Sequence, residues 1–347
     1  MMLAAPAAVA QQNMYVIDTC GVVNVMTTSQ VDYATFNAED SWFAISSGSL
    51  VGKTSTSITA SCSAALATDG TVKQLVTVPE VGVCYSSVNA TPTINDDCLV
   101  LGSELKDYTF TISSLAAGTE YNYRAYVKFG NEAFYGNVAS AKTYEPAPND
   151  TVINGHLFVN LGLPSGILWA ETNIGAATAA DYGDYFAWGE TATKSVYSWA
   201  TYAHGSSSSS LSKYNTTDHK TTLDPEDDAA YVNWESPCRM PTSDELAELT
   251  NTDNCTWTWT TVTMADGTTV NGYKVVSNKY GNSIFLPASG YNVDETTKRG
   301  SHTYYWTSSL YSNNVAAYNL YFYSRYYSST SSNNRIRGYA IRPVVKP

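Results

Sequence analysis

The residues best suited to chemistry lie in the stretch 304–347, and the chemistry that they suit is molecular recognition. Within it, two sets of residues alternate along one segment, namely Asn319, Tyr321, Tyr323 and Arg325 with Leu320, Phe322 and Ser324 between them. Alternation with period two predicts a strand that buries one face and presents the other. Tyr offers a large rigid contact surface at low entropic cost, while Ser and Asn supply adaptable hydrogen bonds. The pattern therefore favours a binding face. The alternative is a plain Tyr-rich exposed strand, because aromatic residues favour strands anyway.

We expect the ligand contacts to come from ten side chains of this stretch: Tyr311, Asn313, Asn319, Tyr321, Tyr323, Arg325, Tyr326, Tyr327, Arg337 and Tyr339. From residue 291 onward, seven Lys and Arg residues face two acidic ones, a net charge of +5. The whole chain carries −12, so the first 290 residues carry −17. This balance disfavours nucleic acid as a partner, because phosphate binding needs a cationic face. The basic tail is suited to attracting an acidic partner.

The sequence does not indicate a catalytic site. The four carboxylates of Asp224, Glu226, Asp227 and Asp228 open a predicted helix, where negative charge suits the N-terminal dipole. Glycoside hydrolysis needs two carboxylates facing each other across a cleft, and calcium in an EF-hand needs a spacing that this cluster lacks. No CxxC occurs and the four His are scattered, which disfavours zinc. We predict no enzyme, cofactor or metal site, with a carbohydrate-active enzyme as a remote alternative.

The elements that precede this stretch are strands. Four β-prone runs between residues 41 and 145 have turn residues between them, namely 57–62, 81–85, 108–112 and 121–127. About seven such strands in about 100 residues predict an immunoglobulin-type sandwich. The run LAAGTEYNYRAY, residues 115–126, resembles the fibronectin type III signature. This resemblance implies that Tyr121 braces a corner with Leu115 as its core partner, in a domain that acts as a spacer. Residues 146–153 are rich in Pro and polar side chains and are predicted to be a linker.

Several separated motifs define residues 154–347. They are VNLGLPSGILWA at 159–170, CRMPTSDELAEL at 238–249, NSIFLPASGY at 282–291, YWTSS at 305–309 and IRPV at 341–344. Together they closely resemble the Fibrobacter succinogenes major paralogous domain family, common in exported proteins of gut Bacteroidetes and related to the C-type lectin fold. The resemblance implies short sheets, two helices and an irregular region that displays a ligand surface. Thr242 and Glu245 form a capping box for one helix, and Asp224 and Pro225 begin the other, over 225–234.

The expected fold is thus mostly β with an α+β C-terminal domain: an Ig-like or fibronectin type III sandwich, then a C-type-lectin-like domain. The tail also resembles the variable regions of retroelement-diversified proteins, in which adenine-directed mutagenesis rewrites surface positions on a fixed scaffold. The RMPT and WTSS motifs resemble formylglycine-generating enzymes too. Those enzymes need reactive cysteines near the C-terminal end, and no Cys follows Cys255. The triplets of calcium-dependent lectin sugar sites are absent as well.

The N-terminal region and the cysteines indicate export. Residues 1–10, MMLAAPAAVA, resemble the end of a signal peptide, truncated at its start, and 11–40 are predicted to form a β-hairpin around Cys20-Gly21. The sequence contains no run of 18 apolar residues, so no transmembrane segment is predicted. The nearest pairs among the six cysteines are Cys84 with Cys98 and Cys238 with Cys255. Their even count fits disulfides in an exported protein and is also compatible with six buried free thiols, and the spacing does not fix a pairing.

These observations lead to one hypothesis and one main alternative. We expect a non-enzymatic, secreted or cell-surface protein that binds a protein or glycan ligand on another cell, host or phage surface. The alternative is a structural or pilus-type subunit whose aromatic face packs against a neighbouring copy.

Overall fold

The protein is mostly β and divides into two compact units. The computed structural model describes residues 13–17, 23–27, 43–66, 79–129, 132–293 and 296–347. The boundary between the units lies after Glu145. Multiple antiparallel sheets dominate both units, and two short α-helices occur in the described part of the second.

Ten strands are described in the first unit: β1 (Asn13–Ile17), β2 (Val23–Thr27), β3 (Phe43–Lys53), β4 (Ile58–Leu66), β5 (Glu80–Ser86), β6 (Asp97–Gly102), β7 (Asp107–Ile112), β8 (Glu120–Phe129), β9 (Glu132–Tyr135) and β10 (Ala139–Lys142). They include a strand at each of the four predicted runs. β1 and β2 pair antiparallel. The predicted turn at Cys20-Gly21 and the predicted signal peptide at 1–10 lie outside the described residues.

Two sheets of the first unit share one core. One sheet has the order β3-β4-β7, and the other has the order β10-β8-β5-β6 with β9 also on β8. Alternate residues of β4, such as Ile58 and Ala60, are buried against Val83 and Tyr123 of the second sheet. Because each strand alternates apolar and polar residues, each sheet buries one face, and the two faces close into a sandwich.

Tyr121 lies near the start of β8, after the connection from β7, which crosses from one sheet to the other. Its ring is buried together with Leu115, and its hydroxyl accepts a hydrogen bond of 3.0 Å from the backbone N–H of Ala116. A Tyr hydroxyl that bonds to backbone a few residues upstream fixes the connection between two strands.

The second unit contains fourteen described strands and two α-helices: β11 (Thr151–Ile153), β12 (His156–Val159), β13 (Leu168–Ala170), β14 (Gly205–Ser207), β15 (Ser210–Leu211), α1 (Ala229–Trp234), α2 (Ser243–Thr250), β16 (Cys255–Thr263), β17 (Thr269–Ser277), β18 (Ser283–Pro287), β19 (Tyr291–Asn292), β20 (Thr296–Thr297), β21 (His302–Leu310), β22 (Ala316–Tyr323), β23 (Tyr326–Asn334) and β24 (Val344–Val345). Two 3-10 turns, Trp199–Thr201 and Pro225–Asp227, accompany them.

Three sheets form the framework of this unit. Their orders are β11-β12-β13-β24, β16-β17-β18 and β21-β22-β23, and the pairs β14-β15 and β19-β20 are small additions. Two large apolar clusters fill the interior, one around Trp188, Trp306 and Tyr339 and one around Trp169, Leu320 and Phe322. β21 and β22 contribute to both clusters, so the sheet β21-β22-β23 is anchored from two directions.

The predicted linker 146–153 is too long. Its last three residues form β11, which pairs with β12 around a two-residue turn of Asn154 and Gly155. Both turn residues have positive φ, 51° and 80°. Asn-Gly suits such a turn because both residues tolerate the left-handed region. The second unit therefore begins its sheet at Thr151 rather than at 154.

The two predicted helices fare differently. α2 begins as expected: the Thr242 side chain accepts from the Glu245 N–H, and the Glu245 carboxylate accepts from the Thr242 N–H. The predicted continuous helix over 225–234 is wrong, because the chain turns extended at Asp228. Asp224 precedes only a 3-10 turn and makes no side-chain cap bond there; Asp228 caps α1 instead. No helix among the described residues is long and apolar enough to cross a membrane.

Five cysteines are described, and all five are free thiols: Cys62, Cys84, Cys98, Cys238 and Cys255. Cys238 and Cys255 belong to different apolar clusters of the second unit, so the proposed Cys238–Cys255 pairing has no structural support. Cys84 and Cys98 are direct neighbours across β5 and β6.

Candidate recognition surface

β22 places the predicted binding residues. Leu320 and Phe322 are buried in the core, and Tyr321 and Tyr323 point to the other face, where they are half-buried. The predicted alternation is therefore confirmed at these four positions. It does not extend to Ser324, which is exposed in a turn rather than buried.

Tyr321 and Tyr323 belong to a set of side chains that we call the aromatic ribbon, defined as His302, Tyr304, Tyr321, Tyr323 and Tyr326. The strand register puts Tyr304 opposite Tyr321, His302 opposite Tyr323, and Tyr323 opposite Tyr326. Cross-strand aromatic pairs of this kind stabilise a sheet. The rings of Tyr304 and Tyr321 are stacked at 4.7 Å, those of His302 and Tyr323 at 5.5 Å, and those of Tyr323 and Tyr326 are tilted at 5.8 Å.

The outer end of the ribbon is a tight hairpin. Because Tyr323 pairs with Tyr326, Ser324 and Arg325 form a two-residue turn, and both are exposed. Tyr326 is the most exposed ring of the ribbon, at 48%. The predicted surface residues Arg325 and Tyr326 are thus accessible at the tip, although Arg325 lies in a turn and not in a strand.

The inner end of the ribbon is closed by Tyr339, which the sequence led us to expect at the surface. Its ring is fully buried, stacked on Tyr304 at 4.6 Å and packed on Trp306 at 4.3 Å. An antiparallel β-bridge to Phe186 holds the backbone of Tyr339 in place. Burial raises the pKa of the Tyr339 hydroxyl, and the charge of Arg337 only partly offsets this rise. Tyr339 anchors the ribbon and is not a contact residue.

Asn319 is also buried, contrary to expectation. It lies on the same face as Tyr321, but its register partner is Trp306, and the Trp188–Trp306–Tyr339 cluster covers that half of the face. The register of β23 shifts between Asn319 and Tyr321, and this bulge separates the covered half from the open half. Surface exposure is therefore confined to the part of the face beyond the bulge.

The remaining predicted residues lie off the ribbon. Tyr327 shares the core-side face with Phe322 and stacks on Trp257 at 4.6 Å. Tyr311 packs edge-on against Tyr318 at 5.0 Å. Asn313 is exposed, but its Oδ1 accepts hydrogen bonds from the N–H groups of Val315 and Ala316, at the start of β22. Arg337 is half-buried, and its charge acts on the hydroxyls of Tyr304 and Tyr339 at the inner end of the ribbon. The structure thus groups Tyr321, Tyr323, Arg325 and Tyr326, and it separates the other six.

His302 and Tyr304 are ribbon residues that the predicted set missed. They occupy alternate positions of β21 and meet Tyr323 and Tyr321 across the sheet. The signal in the sequence is the same period-two spacing, His302, Tyr304, Trp306, but choosing the register partner requires the fold.

Burial, followed by the neighbouring tyrosines, raises the pKa of the Tyr304 and Tyr321 hydroxyls, so both stay protonated. A protonated phenol both donates and accepts hydrogen bonds. Two arginines counted in the basic tail, Arg335 and Arg342, are fully buried and bind backbone carbonyls, so they add little to the surface field.

The acidic cluster is held by a lysine. Asp224, Glu226 and Asp227 converge, and the Nζ of Lys213 lies 2.8, 3.2 and 2.5 Å from their respective carboxylates. Burial opposes the charge of Lys213, but these three bonds together raise its pKa. The ammonium group stands where a cation ligated by the three carboxylates would stand, so the cluster is a structural ion-pair network.

Comparisons with known proteins add little. No family model and no curated protein matches the chain. Among solved structures, it is similar to sensor domains of the anti-sigma factor RsgI4 in Pseudobacteroides cellulosolvens. The long form is 19% identical, with 32% of this chain and 98% of that chain covered and a TM-score of 0.24. The short form is 20% identical, with 30% and 97% covered and a TM-score of 0.22. At these TM-scores the similarity establishes neither a shared fold nor a shared function.

Proposed function

We propose that the chain is a non-enzymatic, exported recognition protein that binds its ligand with the aromatic ribbon and the adjoining Arg325. The observation that supports this most is the graded exposure of one continuous series of rings. It runs from the fully buried Tyr339 through Tyr304 and Tyr321 to the exposed Tyr326. Aromatic side chains at a surface with Arg beside them are typical of binding hot spots.

Rigidity of the ribbon favours affinity. Each inner ring is held by stacking on its neighbour, and Tyr339 is locked in the core. Side chains that are already ordered lose little conformational entropy when a partner binds, and immobilising a mobile one costs about 0.5–1.5 kcal/mol. A ribbon ordered before binding therefore retains more of its contact energy.

The ring orientation favours a protein ligand over a glycan. Sugar rings are bound by stacking on free aromatic faces, but the faces of Tyr304 and Tyr321 are turned toward each other, with 22° between their planes. What these residues can offer outward is their edges and hydroxyl groups. Together with the guanidinium of Arg325, they suit a surface of backbone carbonyls and carboxylates.

The family resemblance supports the same proposal. The first unit has the paired sheets and the corner tyrosine expected of a fibronectin type III spacer, and the second would be the lectin-like domain that displays the ribbon. In such an arrangement the chain is secreted or held at the cell surface.

The test uses peptides and glycans side by side. The full chain is used to select binders from a phage-displayed random peptide library and is applied to a printed glycan array. Each binder is then measured on Tyr326→Ala and Tyr321→Ala, with Tyr231→Ala as the control, because Tyr231 is 36% exposed and belongs to α1 rather than to the ribbon strands.

We expect peptides whose binding falls at least tenfold in both ribbon variants, about 1.4 kcal/mol, and stays unchanged in Tyr231→Ala. Glycans that depend on the ribbon would overturn the protein assignment. Concentration-dependent self-association lost in both variants would favour the structural-subunit alternative. If no binder depends on Tyr321 or Tyr326, the recognition proposal is wrong.

A further inference from the structure

Two thiols of the first unit face each other across paired strands. In the antiparallel pair of β5 and β6, Cys84 is the direct partner of Cys98, and the register is regular on both sides of them, from Gly82 to Tyr85. Directly opposite residues have Cα atoms about 4.5–5.5 Å apart, and disulfides form at Cα separations of about 4.4–6.8 Å. The side chains already interact with each other. The strand register thus places the two cysteines opposite each other, in the arrangement whose usual Cα separation suits a disulfide.

We propose that Cys84 and Cys98 form a disulfide when the protein meets an oxidising compartment. The bridge joins β6, the outermost strand of its sheet, to β5, which lies inside that sheet. Strands at a sheet edge are held on one side only and open most readily. A covalent link at this position ties the edge strand to the interior strand.

The exposure of the two cysteines sets the order of events. Cys98 is exposed and Cys84 is fully buried. A disulfide donor such as oxidised glutathione reaches Cys98 first: the Cys98 thiolate attacks one sulfur of the donor, and one glutathione thiolate leaves. Cys84 then loses its proton and attacks the Cys98 sulfur of the mixed disulfide, and the second glutathione thiolate leaves. Two protein thiols are oxidised to one disulfide, and one donor disulfide is reduced to two thiols.

The site is built for a structural bridge and not for a catalytic one. Burial raises the pKa of the Cys84 and Cys98 thiols, and Asp96 raises both further, while Arg124 partly offsets this at Cys84. Reactive cysteine pairs need the opposite shift, toward the thiolate. The bridge, once formed, is therefore not readily exchanged.

The other described cysteines lack a partner of this kind. Cys62 has Tyr108 as its register partner on β7. Cys238 and Cys255 are buried in separate clusters. Among the described residues, the strand register thus selects one pairing from those that the spacing left open.

Peptide mapping tests the pairing directly. No Lys or Arg lies between Gln74 and Glu104, so trypsin releases Cys84 and Cys98 in one peptide, while each of the other four cysteines falls in a different peptide. The full chain is incubated with oxidised glutathione or with a reductant, alkylated, digested and weighed. After oxidation we expect this peptide to be two hydrogens lighter and unalkylated. Cleavage before Asp96 should leave its two parts joined until reduction.

Three results would overturn the proposal: alkylation of both thiols after oxidation, a persistent mixed disulfide on Cys98, or a bridge from either residue to another peptide. Cys84→Ser serves as the control for mechanism, since it should stop the reaction at the Cys98–glutathione adduct. The wild-type measurement decides the pairing even where that variant folds poorly.

Discussion

The buried carboxylate of Asp228 joins two elements of the second unit. Its Oδ1 accepts from the N–H groups of Ala230 and Tyr231, which caps α1, and the N–H of Met240 donates to both carboxylate oxygens at 3.1 and 2.9 Å. The side chain is only 5% exposed, so water does not replace these bonds easily. Replacing Asp228 should therefore loosen both the helix and the strand-like segment at Met240.

The size of the effect follows from the bonds lost. Asp228→Ala removes a helix cap, about 1 kcal/mol, and leaves the buried Met240 N–H unpaired, about 1–3 kcal/mol. The sum is about 3 kcal/mol, which for a unit of this size lowers the melting temperature by about 6–12 °C. Asp228→Asn keeps one acceptor oxygen and should cost roughly half as much.

Tryptophan fluorescence is the natural assay, because seven of the eight tryptophans lie beyond residue 146 and Trp234 ends α1 itself. Asp266→Ala is the matched control: that exposed carboxylate accepts from one backbone N–H, where water can take its place. The control should melt within about 2 °C of the wild type. If Asp228→Ala melts as close to the wild type as the control does, the assigned role of Asp228 is refuted.

Asp228 should also make the stability of the second unit depend on pH. Burial raises the pKa of Asp228, and the three N–H groups offset only part of the rise. The folded state therefore binds a proton that the unfolded state has released, in the window above the ordinary pKa of 3.8. Across that window the contribution of Asp228 to stability falls as the pH rises. Asp228→Asn should abolish this fall, and a variant that retains it would show that another group titrates.

Two further predictions concern charged groups of the second unit. Asp224 has its pKa lowered to about 2 by hydrogen bonds from Lys213 and Lys220, so its contribution to stability is present above about pH 4 and is lost toward pH 2. Melting temperatures of Asp224→Asn should decline less than those of the wild type over that range, and an equal decline would contradict the prediction. Arg342 is buried and donates to Asn173 Oδ1 and to three backbone carbonyls. Arg342→Lys should cost at least about 2 kcal/mol, since an ammonium group cannot span these acceptors; an unchanged urea midpoint would refute this.

Local patterns in the sequence predict local structure well. The four β-prone runs of the first unit, the capping box of α2 and the alternation of Leu320 with Tyr321 all depend on residues within one or two turns or strands of each other. The Asn154-Gly155 turn belongs to the same class, and its positive φ values are what the dipeptide favours. It was missed because the Pro-rich run before it suggested a linker.

The burial of Asn319 and Tyr339 could not be predicted in this way. Both residues are polar or amphipathic, and both are covered by contacts from segments far away in the chain, such as Phe186. The same holds for Arg342, whose acceptors come from two distant segments of the chain, one with Ala170 and Asn173 and one with Phe285. Which residues on one face of a strand remain exposed therefore depends on the distant segments that pack against that face.

This division of the face limits how freely the surface could be diversified. If the end of the gene is rewritten at adenines, as the resemblance to retroelement-diversified proteins suggests, a change at Tyr339 or Asn319 alters a fully buried side chain. Removing a buried aromatic ring costs about 3–5 kcal/mol, so most such products would be poorly folded. Changes at Arg325 and Tyr326 meet no such barrier, because both are exposed at the hairpin tip. We therefore expect related chains from one locus to vary at the tip and to retain Tyr339, and variation concentrated at Tyr339 would contradict the role of this ring as the anchor of the ribbon.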